Sequence, residues 1–267
     1  MALNPLNREE LRVAVRSAKP FPNICIDSFL QEPFAREIAA SFPSYTEAAR
    51  IGRSFKTVNE RGKVQVTDAA EFAGPIARLN AELASPEFVE LLSELFGIPN
   101  LVADENLVGG GMHQTGPRGH LDVHVDFNYI EERQIFRRLN LLLYFNEGWR
   151  AEWGGELELW DAQVKVRHHL VPPAFNRCLI FETSDMSFHG VRAVTCPEGT
   201  SRRSFAAYYY TREPPPGWAG RNHTTIFQAR PDETLKRVLY MPAERAARRV
   251  SGLMRGAKDA LKRLRSD

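Results

Sequence analysis

Hydrophobic and polar positions follow two different patterns along this chain. In the first hundred residues the apolar positions recur at helical spacing, as with Phe34, Ile38 and Phe42, which predict a helix over 31–42. The pattern is clearest over 85–96, where a serine can cap the helix, a proline fits its first turn and a glycine follows its end. The buried stripe of that second helix is predicted to be Phe88, Leu91, Leu92 and Leu95.

After residue 101 the pattern changes to short apolar or alternating runs separated by glycine, proline and asparagine turns. These runs are Leu121–Phe127, Leu139–Phe145, Glu156–Trp160, Cys178–Phe181 and Phe205–Tyr210. Several short strands of this kind favour a β-sandwich or barrel over alternating βαβ units. The polar, poorly periodic segment 45–69 is interpreted as a loop with one strand at 63–66. We therefore expect one compact, mainly β domain with a helical layer packed on a β core.

Composition excludes several classes of protein. The 267 residues carry 35 Lys and Arg against 33 Asp and Glu, so the net charge of +2 gives no global attraction for nucleic acid or anionic lipid. The three cysteines Cys25, Cys178 and Cys196 are scattered and indicate a reducing compartment. No apolar leader or membrane-spanning stretch is visible, so a cytoplasmic location is expected.

The chain is expected to divide into a helical support region at 1–99, a β core at 100–213 and a C-terminal extension at 214–267. Basic residues and an apolar stripe alternate over 242–267, which predicts a basic amphipathic helix. Such a helix either packs on the domain or makes weak contact with a membrane surface or a partner. The glycine-rich run 109–113 lacks the lysine and hydroxyl of a phosphate loop, and we interpret 109–119 as a flexible rim beside the site.

The segment 120–126 carries the strongest chemical signal. Four ionisable residues alternate there with leucine and valine: His120, Asp122, His124 and Asp126. On a strand they would share one face, where burial is costly without a partner such as a cation. A His-x-Asp pair plus one further ligand matches the 2-His-1-carboxylate triad that binds non-haem iron. His189, between two apolar strands, is the candidate third ligand.

A second signal lies at 202–204. On a strand Arg202 and Ser204 share a face, while Arg203 points away. An inward arginine is expensive unless an anion meets it, and its planar fork suits a carboxylate. This predicts an anion site near the metal ligands.

Taken in order, these motifs resemble the iron(II)/2-oxoglutarate-dependent oxygenases, in the prolyl-4-hydroxylase-like branch. The resemblance covers about 100–212 and rests on His124-Val-Asp126, Arg138–Asn146, Trp153–Leu157, Phe188-His-Gly190 and Arg202-Arg-Ser204. It implies a double-stranded β-helix, or jelly roll, of the cupin-like kind. The implied iron ligands are His124, Asp126 and His189, and the implied 2-oxoglutarate contacts are Arg202, Ser204 and Tyr144.

The second His-x-Asp pair leaves an alternative, since His120 and Asp122 have the same spacing. The family places Phe-Asn soon after its aspartate, and Phe127-Asn128 follows Asp126, so the resemblance favours the later pair. His120 and Asp122 then become neighbours of the ligands or substrate contacts.

The resemblance also implies the reaction. Halogenating relatives lack the carboxylate ligand, so Asp126 favours hydroxylation or a related oxidation. With Fe(II) as cofactor, 2-oxoglutarate and O2 would be consumed and succinate and CO2 released. Ascorbate is a candidate reductant, and the substrate is a small molecule or a peptidyl residue. Two other functions stay open: a non-catalytic jelly roll that binds metal or a small acid, and a zinc-dependent cupin-like hydrolase or isomerase. The zinc chemistry would not need the Arg202/Ser204 anion site.

Overall fold

The computed structural model describes residues 2–218, 220–234 and 236. The predicted basic helix at 242–267 lies outside these residues. None of the helices that the structure describes has the length and apolar character needed to cross a membrane.

Helices dominate the first hundred described residues and strands the remainder. The helices are α1 (Arg8–Ser17), α2 (Glu32–Ser41), α3 (Tyr45–Ile51), α4 (Gly74–Leu83) and α5 (Pro86–Phe96). The strands are β1 (Asn23–Ile26), β2 (Arg53–Lys56), β3 (Glu60–Val66), β4 (Val102–Ala103), β5 (Gly111–Val125), β6 (Tyr129–Ile130), β7 (Ile135–Tyr144), β8 (Leu157–Trp160), β9 (Arg167–Val171), β10 (Cys178–Glu182), β11 (His189–Val191), β12 (Arg202–Thr211) and β13 (Ile226–Phe227).

The strands form one curled antiparallel sheet with the order β1-β10-β7-β12-β5-β11-β8-β9. Strand β5 connects its two parts, because its first half pairs with β12, its second half pairs with β11 and β13, and β3 pairs with residues of both halves. A long strand shared in this way lets the sheet fold back around a central cavity. The predicted mainly β jelly-roll core is confirmed.

The helical layer covers the outer face of the sheet. Leu139, Leu141 and Leu143 of β7 pack into the same core as α2, α4 and α5, whereas Asn140 and Tyr144 lie on the opposite face. This alternation follows from the period of two along a strand. The sheet therefore presents its apolar face to the helices and its polar side chains to the cavity.

Helix α5 confirms the prediction made from its sequence. Ser85 caps it by accepting a hydrogen bond from the Phe88 backbone, and Gly97 ends it in the left-handed region at φ 66°. Phe88 is buried between Phe29 and Tyr209, with ring centroids 6.1 and 6.3 Å away. The helix is thereby fixed to the outer face of β12.

Two loop predictions were wrong. The segment 45–69 forms α3 and the β2–β3 hairpin instead of a loop, because Ser44 and Glu47 make a reciprocal capping box and β3 pairs with β5. The strand expected at 63–66 is confirmed as part of β3. The expected rim at 109–119 becomes regular strand from Gly111 onward, since β3 and β12 pair with it on both sides. Pairing between distant segments, which local periodicity does not record, decides both cases.

Candidate metal centre

Two histidines on neighbouring strands face each other at the centre of the cavity. His124 on β5 is the direct cross-strand partner of His189 on β11, with ring centroids 4.3 Å apart. Asp126 completes the group, its carboxylate oxygens lying 3.5 Å from His124 Nε2 and 3.4 Å from His189 Nε2. One donor atom from each residue lies within 4.8 Å of the others. The structure thus brings together the three residues that the sequence singled out as ligands.

Hydrogen bonds to the backbone fix the orientation of both imidazoles. His124 Nδ1 lies 2.8 Å from the carbonyl oxygen of Asp122, and His189 Nδ1 lies 3.0 Å from that of Ser187. A carbonyl only accepts, so Nδ1 carries the proton and the Nε2 lone pair points towards Asp126. Burial, helped by the neighbouring His124, lowers the pKa of His189 to about 4, so its ring is neutral at pH 7. Neutral imidazole is the form that binds metal.

The carboxylate of Asp126 is held in its charged form. Burial by itself raises its pKa, but Arg137, His189 and His124 outweigh that effect and bring the pKa well below its usual value. Asn140 donates a 2.7 Å hydrogen bond to Oδ2, and the Arg137 guanidinium lies 3.3 Å from the same oxygen. Two imidazoles whose Nε2 atoms face one carboxylate are the donor set that suits Fe(II) with open coordination positions.

The expectation that Asp122 shares the face of His124 was wrong. The β5–β11 pairing matches His189 with His124 but Val191 with Leu121, so β5 contains one extra residue there. This bulge puts Leu121 on the cavity wall and turns Asp122 into a fully buried site on the other side of the strand. The Asp122 carboxylate is therefore not a candidate ligand.

A buried guanidinium lies across the cavity from the ligand group. Arg202 Nε donates a 2.7 Å hydrogen bond to the Gly155 carbonyl, and Nη1 lies 3.5 Å from Ser204 Oγ. Within the described part of the chain, Arg202 Nη2 and the Tyr144 hydroxyl are buried without a hydrogen-bond partner. Burial raises the pKa of Tyr144 to about 12, so this hydroxyl remains a donor. Unpaired buried donors are costly, and a bound carboxylate would satisfy both.

The three candidate ligands, Arg202 and Ser204 line one cavity of about 760 Å³. The hairpin β2–β3 and the segment 106–109 form part of its walls. His120 lies at its edge with Nε2 3.2 Å from the Val58 carbonyl. The other rim side chains include Arg53, Phe55, Lys63, His113 and Phe127.

The comparison with known proteins agrees with this geometry. Residues 110–210 match the 2OG-Fe(II) oxygenase superfamily. A stretch of 82 residues is 36% identical to the prolyl 3-hydroxylase OGFOD1 of Mus musculus, and covers 28% of this chain but 14% of that protein. The chain therefore spans about one seventh of the length of the curated relative that it matches.

Solved structures share the fold. A Pseudomonas putida prolyl-4-hydroxylase superposes with a TM-score of 0.54 at 20% identity, covering 76% of this chain and 99% of that chain. A Trichoplax adhaerens prolyl hydroxylase, solved with a hypoxia inducible factor peptide, gives 0.52 at 17% identity and covers 76% and 90%.

The comparisons and the fold point to one class: residues 110–210 match the family model of the 2OG-Fe(II) oxygenase superfamily, and the described strands form a jelly-roll core. Within that superfamily the chain is similar to the prolyl hydroxylases, so the resemblance stated from the motifs is confirmed. The superfamily's cofactors, Fe(II) and 2-oxoglutarate, fit the donor set and the unpaired guanidinium described above.

Sequence reasoning missed two polar residues of the site, Arg137 and Asn140. Asn140 alternates with Tyr144 on β7 and lies in the motif 138–146, so its direction towards the cavity was available from the period of two. Arg137 has the wrong parity for that face. It reaches the cavity because the β7–β12 pairing shifts register between Tyr209 and Tyr210, which the sequence does not show.

Proposed function

We propose that this protein is an Fe(II)- and 2-oxoglutarate-dependent dioxygenase that hydroxylates an unactivated C–H bond and releases succinate and CO2. The observation that carries the proposal is the convergence of His124, Asp126 and His189 in the same cavity as the unpaired guanidinium of Arg202. A zinc hydrolase or isomerase would need the three ligands without the carboxylate site. The presence of an anion site beside the three candidate ligands therefore favours the oxygenase over the zinc enzyme.

Each residue of the site would have a distinct task. His124, Asp126 and His189 would hold the iron, which supplies the redox chemistry with O2 when it is bound. Arg202, Ser204 and Tyr144 would be the cosubstrate contacts and would bind the distal carboxylate of 2-oxoglutarate. The backbone carbonyls beyond each imidazole keep the Nε2 atoms directed at the metal position.

Further support for Asp126 as a ligand comes from its two polar neighbours. Arg137 and Asn140 keep the carboxylate charged and fix its rotation, so that one oxygen remains available to a metal. Ligands that are oriented by buried hydrogen-bonding partners are typical of functional metal sites.

We further propose a prolyl residue in a peptide as the first substrate class to test, because the similar proteins named above are prolyl hydroxylases. A small molecule is the second class. Residues 100–213 would be the catalytic core and 1–99 its support, with ascorbate as a reductant that keeps the iron ferrous. The three cysteines are unpaired, which supports a cytoplasmic location for the proposal.

The test is succinate release by the purified protein with Fe(II), 2-oxoglutarate and a library of proline-containing peptides and small molecules. We expect turnover that Arg202→Met lowers strongly when 2-oxoglutarate is limiting, whereas Arg203→Met retains it. Arg203 is the matched control because it is the adjacent strand residue and lies outside the cavity, beside a separate groove.

Absence of succinate across the library, together with no detectable binding of 2-oxoglutarate to the Fe(II)-loaded or Co(II)-loaded protein, would contradict the proposal. Binding of 2-oxoglutarate without turnover would favour the non-catalytic binding module instead.

A further inference from the structure

The chain returns to the metal centre after the last long strand of the jelly roll. We call residues 221–234 the strap. Its strand β13 pairs with the ligand-bearing end of β5, where Phe227 is the partner of His124 and their rings lie 5.4 Å apart. Gln228 continues the pairing with a 2.8 Å backbone hydrogen bond to Val123. The strap thus forms the wall of the cavity on the His124 side.

The N-terminal end of the strap contacts the segment that follows Asp126 and the turn that precedes His189. Asn128, two residues after Asp126, receives a hydrogen bond from the His223 backbone and donates one to the Arg221 carbonyl. His223 Nε2 lies 2.9 Å from Asp185 Oδ1. Asp185 belongs to the turn that contains Ser187, the residue whose carbonyl orients His189.

The other end places cations beside two buried carboxylates. Asp122 and Glu158 are 0% and 1% exposed. Arg230 Nε donates a 2.7 Å hydrogen bond to Glu158, and Arg230 Nη1 lies 3.6 Å from Asp122. Lys236, just beyond the strap, also binds Asp122. Buried carboxylates are costly without such partners, so Arg230 is bound tightly to both strands that carry them.

Arg230 also bridges the two strands that carry the histidine ligands. Its Nη2 lies 3.4 Å from the carbonyl of Leu121 on β5 and 3.4 Å from that of Val191 on β11. These positions are cross-strand partners at the β5 bulge, three residues before His124. A single side chain therefore contacts β5, β8 and β11 on the face opposite the cavity.

We propose that Arg230 is a positioning residue for the metal centre. By contacting both β5 and β11 on the face opposite the cavity, it fixes the spacing of His124 and His189. This inference rests on the proposed function. It makes the strap part of the active site, although it lies outside residues 110–210 that match the superfamily. Asp122, whose carbonyl orients His124, is the link between Arg230 and the ligand.

The chain offers a matched control in Arg167. Its Nη1 lies 3.0 Å from the other oxygen of Glu158, so Arg167→Met removes the same charge from the same carboxylate. Within the described part of the chain, Arg167 makes no hydrogen bond or ion pair to Asp122 or to the carbonyls of Leu121 and Val191. A purely structural role of Arg230 in neutralising Glu158 would therefore give similar results for both variants.

The experiment titrates Co(II) into the full-length protein and records its d–d absorption spectrum, with no substrate present. We expect Arg230→Met to weaken Co(II) binding about 10-fold or more and to change the spectrum, as loss of a residue that orients ligands does. Arg167→Met should bind Co(II) within about 3-fold of wild type, with an unchanged spectrum. Arg230→Lys should restore the unfolding midpoint of the metal-free protein but only part of the Co(II) affinity, because lysine lacks the fork that bridges the two strands.

Wild-type affinity and spectrum in Arg230→Met, or equal losses in Arg230→Met and Arg167→Met, would overturn the inference. If Arg230→Met does not fold, Arg230→Lys decides, and full wild-type affinity in that variant would overturn it. A wild-type protein that binds no Co(II) would instead refute the proposed function, and this inference with it. The wild-type titration therefore separates the two failures.

Discussion

The guanidinium of Arg137 lies 3.3 Å from the carboxylate of Asp126, and both groups lie in the wall of the cavity. Arg137 is stacked 3.6 Å from the Tyr208 ring centroid and donates a 2.8 Å hydrogen bond to Asn140, which in turn donates to Asp126. Arg137, Asn140 and Asp126 therefore form a polar network in which each side chain contacts the other two. The network keeps the carboxylate charged at the point where a metal would bind it.

Removal of the Arg137 charge should weaken metal binding, and the loss should be largest at acid pH. In Arg137→Met the pKa of Asp126 loses its largest lowering influence, so the carboxyl is protonated at higher pH than in the wild type. We expect Co(II) affinity to fall about 10- to 100-fold at pH 7 and further at pH 5.5. Titrations at both pH values measure this.

The neighbouring arginine supplies the control for that prediction. Arg138 is also buried but lies near Glu182 and Thr211, away from the cavity. Arg138→Lys should leave the Co(II) affinity and its pH dependence unchanged. An equal loss in both variants would show that the effect on Arg137 is one of general stability.

The carboxylate site should be separable from the metal site. Arg202→Met should raise the KM for 2-oxoglutarate about 100-fold and Tyr144→Phe about 10-fold, since each removes a hydrogen bond to an anion worth roughly 1.5–3 kcal/mol. Co(II) affinity should stay within about 3-fold of wild type in both variants. A KM unchanged in Arg202→Met would place the cosubstrate elsewhere.

Glycine at position 190 sets the distance between the two ligand-bearing strands. A Cβ there would lie 3.1 Å from the Leu121 carbonyl oxygen and 3.1 Å from Val123 Cα, both of them backbone atoms. Gly190→Ala should separate β11 from β5, lower the free energy of unfolding by about 1–3 kcal/mol and weaken Co(II) binding. Gly74→Ala is the control, because its Cβ would meet no atom within 4 Å. Wild-type Co(II) binding in Gly190→Ala would contradict this account.

His113 should make the metal-free protein less stable at acid pH. Burial, followed by the charge of Lys63, lowers its pKa well below the usual 6.5, so the folded state keeps the ring neutral while the unfolded state protonates. The associated stability is complete above about pH 6.5 and is lost as the pH falls below it. The urea midpoint should therefore drop less between pH 7.5 and 5 in His113→Gln than in the wild type. Equal drops would show that His113 does not contribute.

The fold class could be predicted, and the three candidate ligands that the structure brings together could be named, from residue patterns within short segments of the chain. Alternation along β7 and β12 identified the inward positions, and His124-Val-Asp126 presented its ligands within one short segment. The capped ends of α5 were equally visible, since Ser85 and Gly97 act locally. Each of these predictions depended only on residues within one short segment of the chain.

What could not be predicted depends on register. The bulge opposite β11 reverses the direction of Asp122, and the shift opposite Tyr209 and Tyr210 directs Arg137 into the cavity. One extra residue in a strand exchanges its two faces, and its position is set by pairing between distant segments. For the same reason the contact of Arg230 with β5 and β11 has no local signal in the sequence.

The most direct test of the whole account compares two histidines of the same strand, His120 and His124, in a Co(II) titration. His120→Ala should bind one Co(II) per chain with an affinity within about 3-fold of wild type, because the β5 bulge leaves that ring at the edge of the cavity. His124→Ala, like His189→Ala, should lose at least about 100-fold in affinity, as expected for loss of one of three protein ligands. Retention of Co(II) by His124→Ala with loss in His120→Ala would contradict the central claim that residues 124, 126 and 189 form the metal centre.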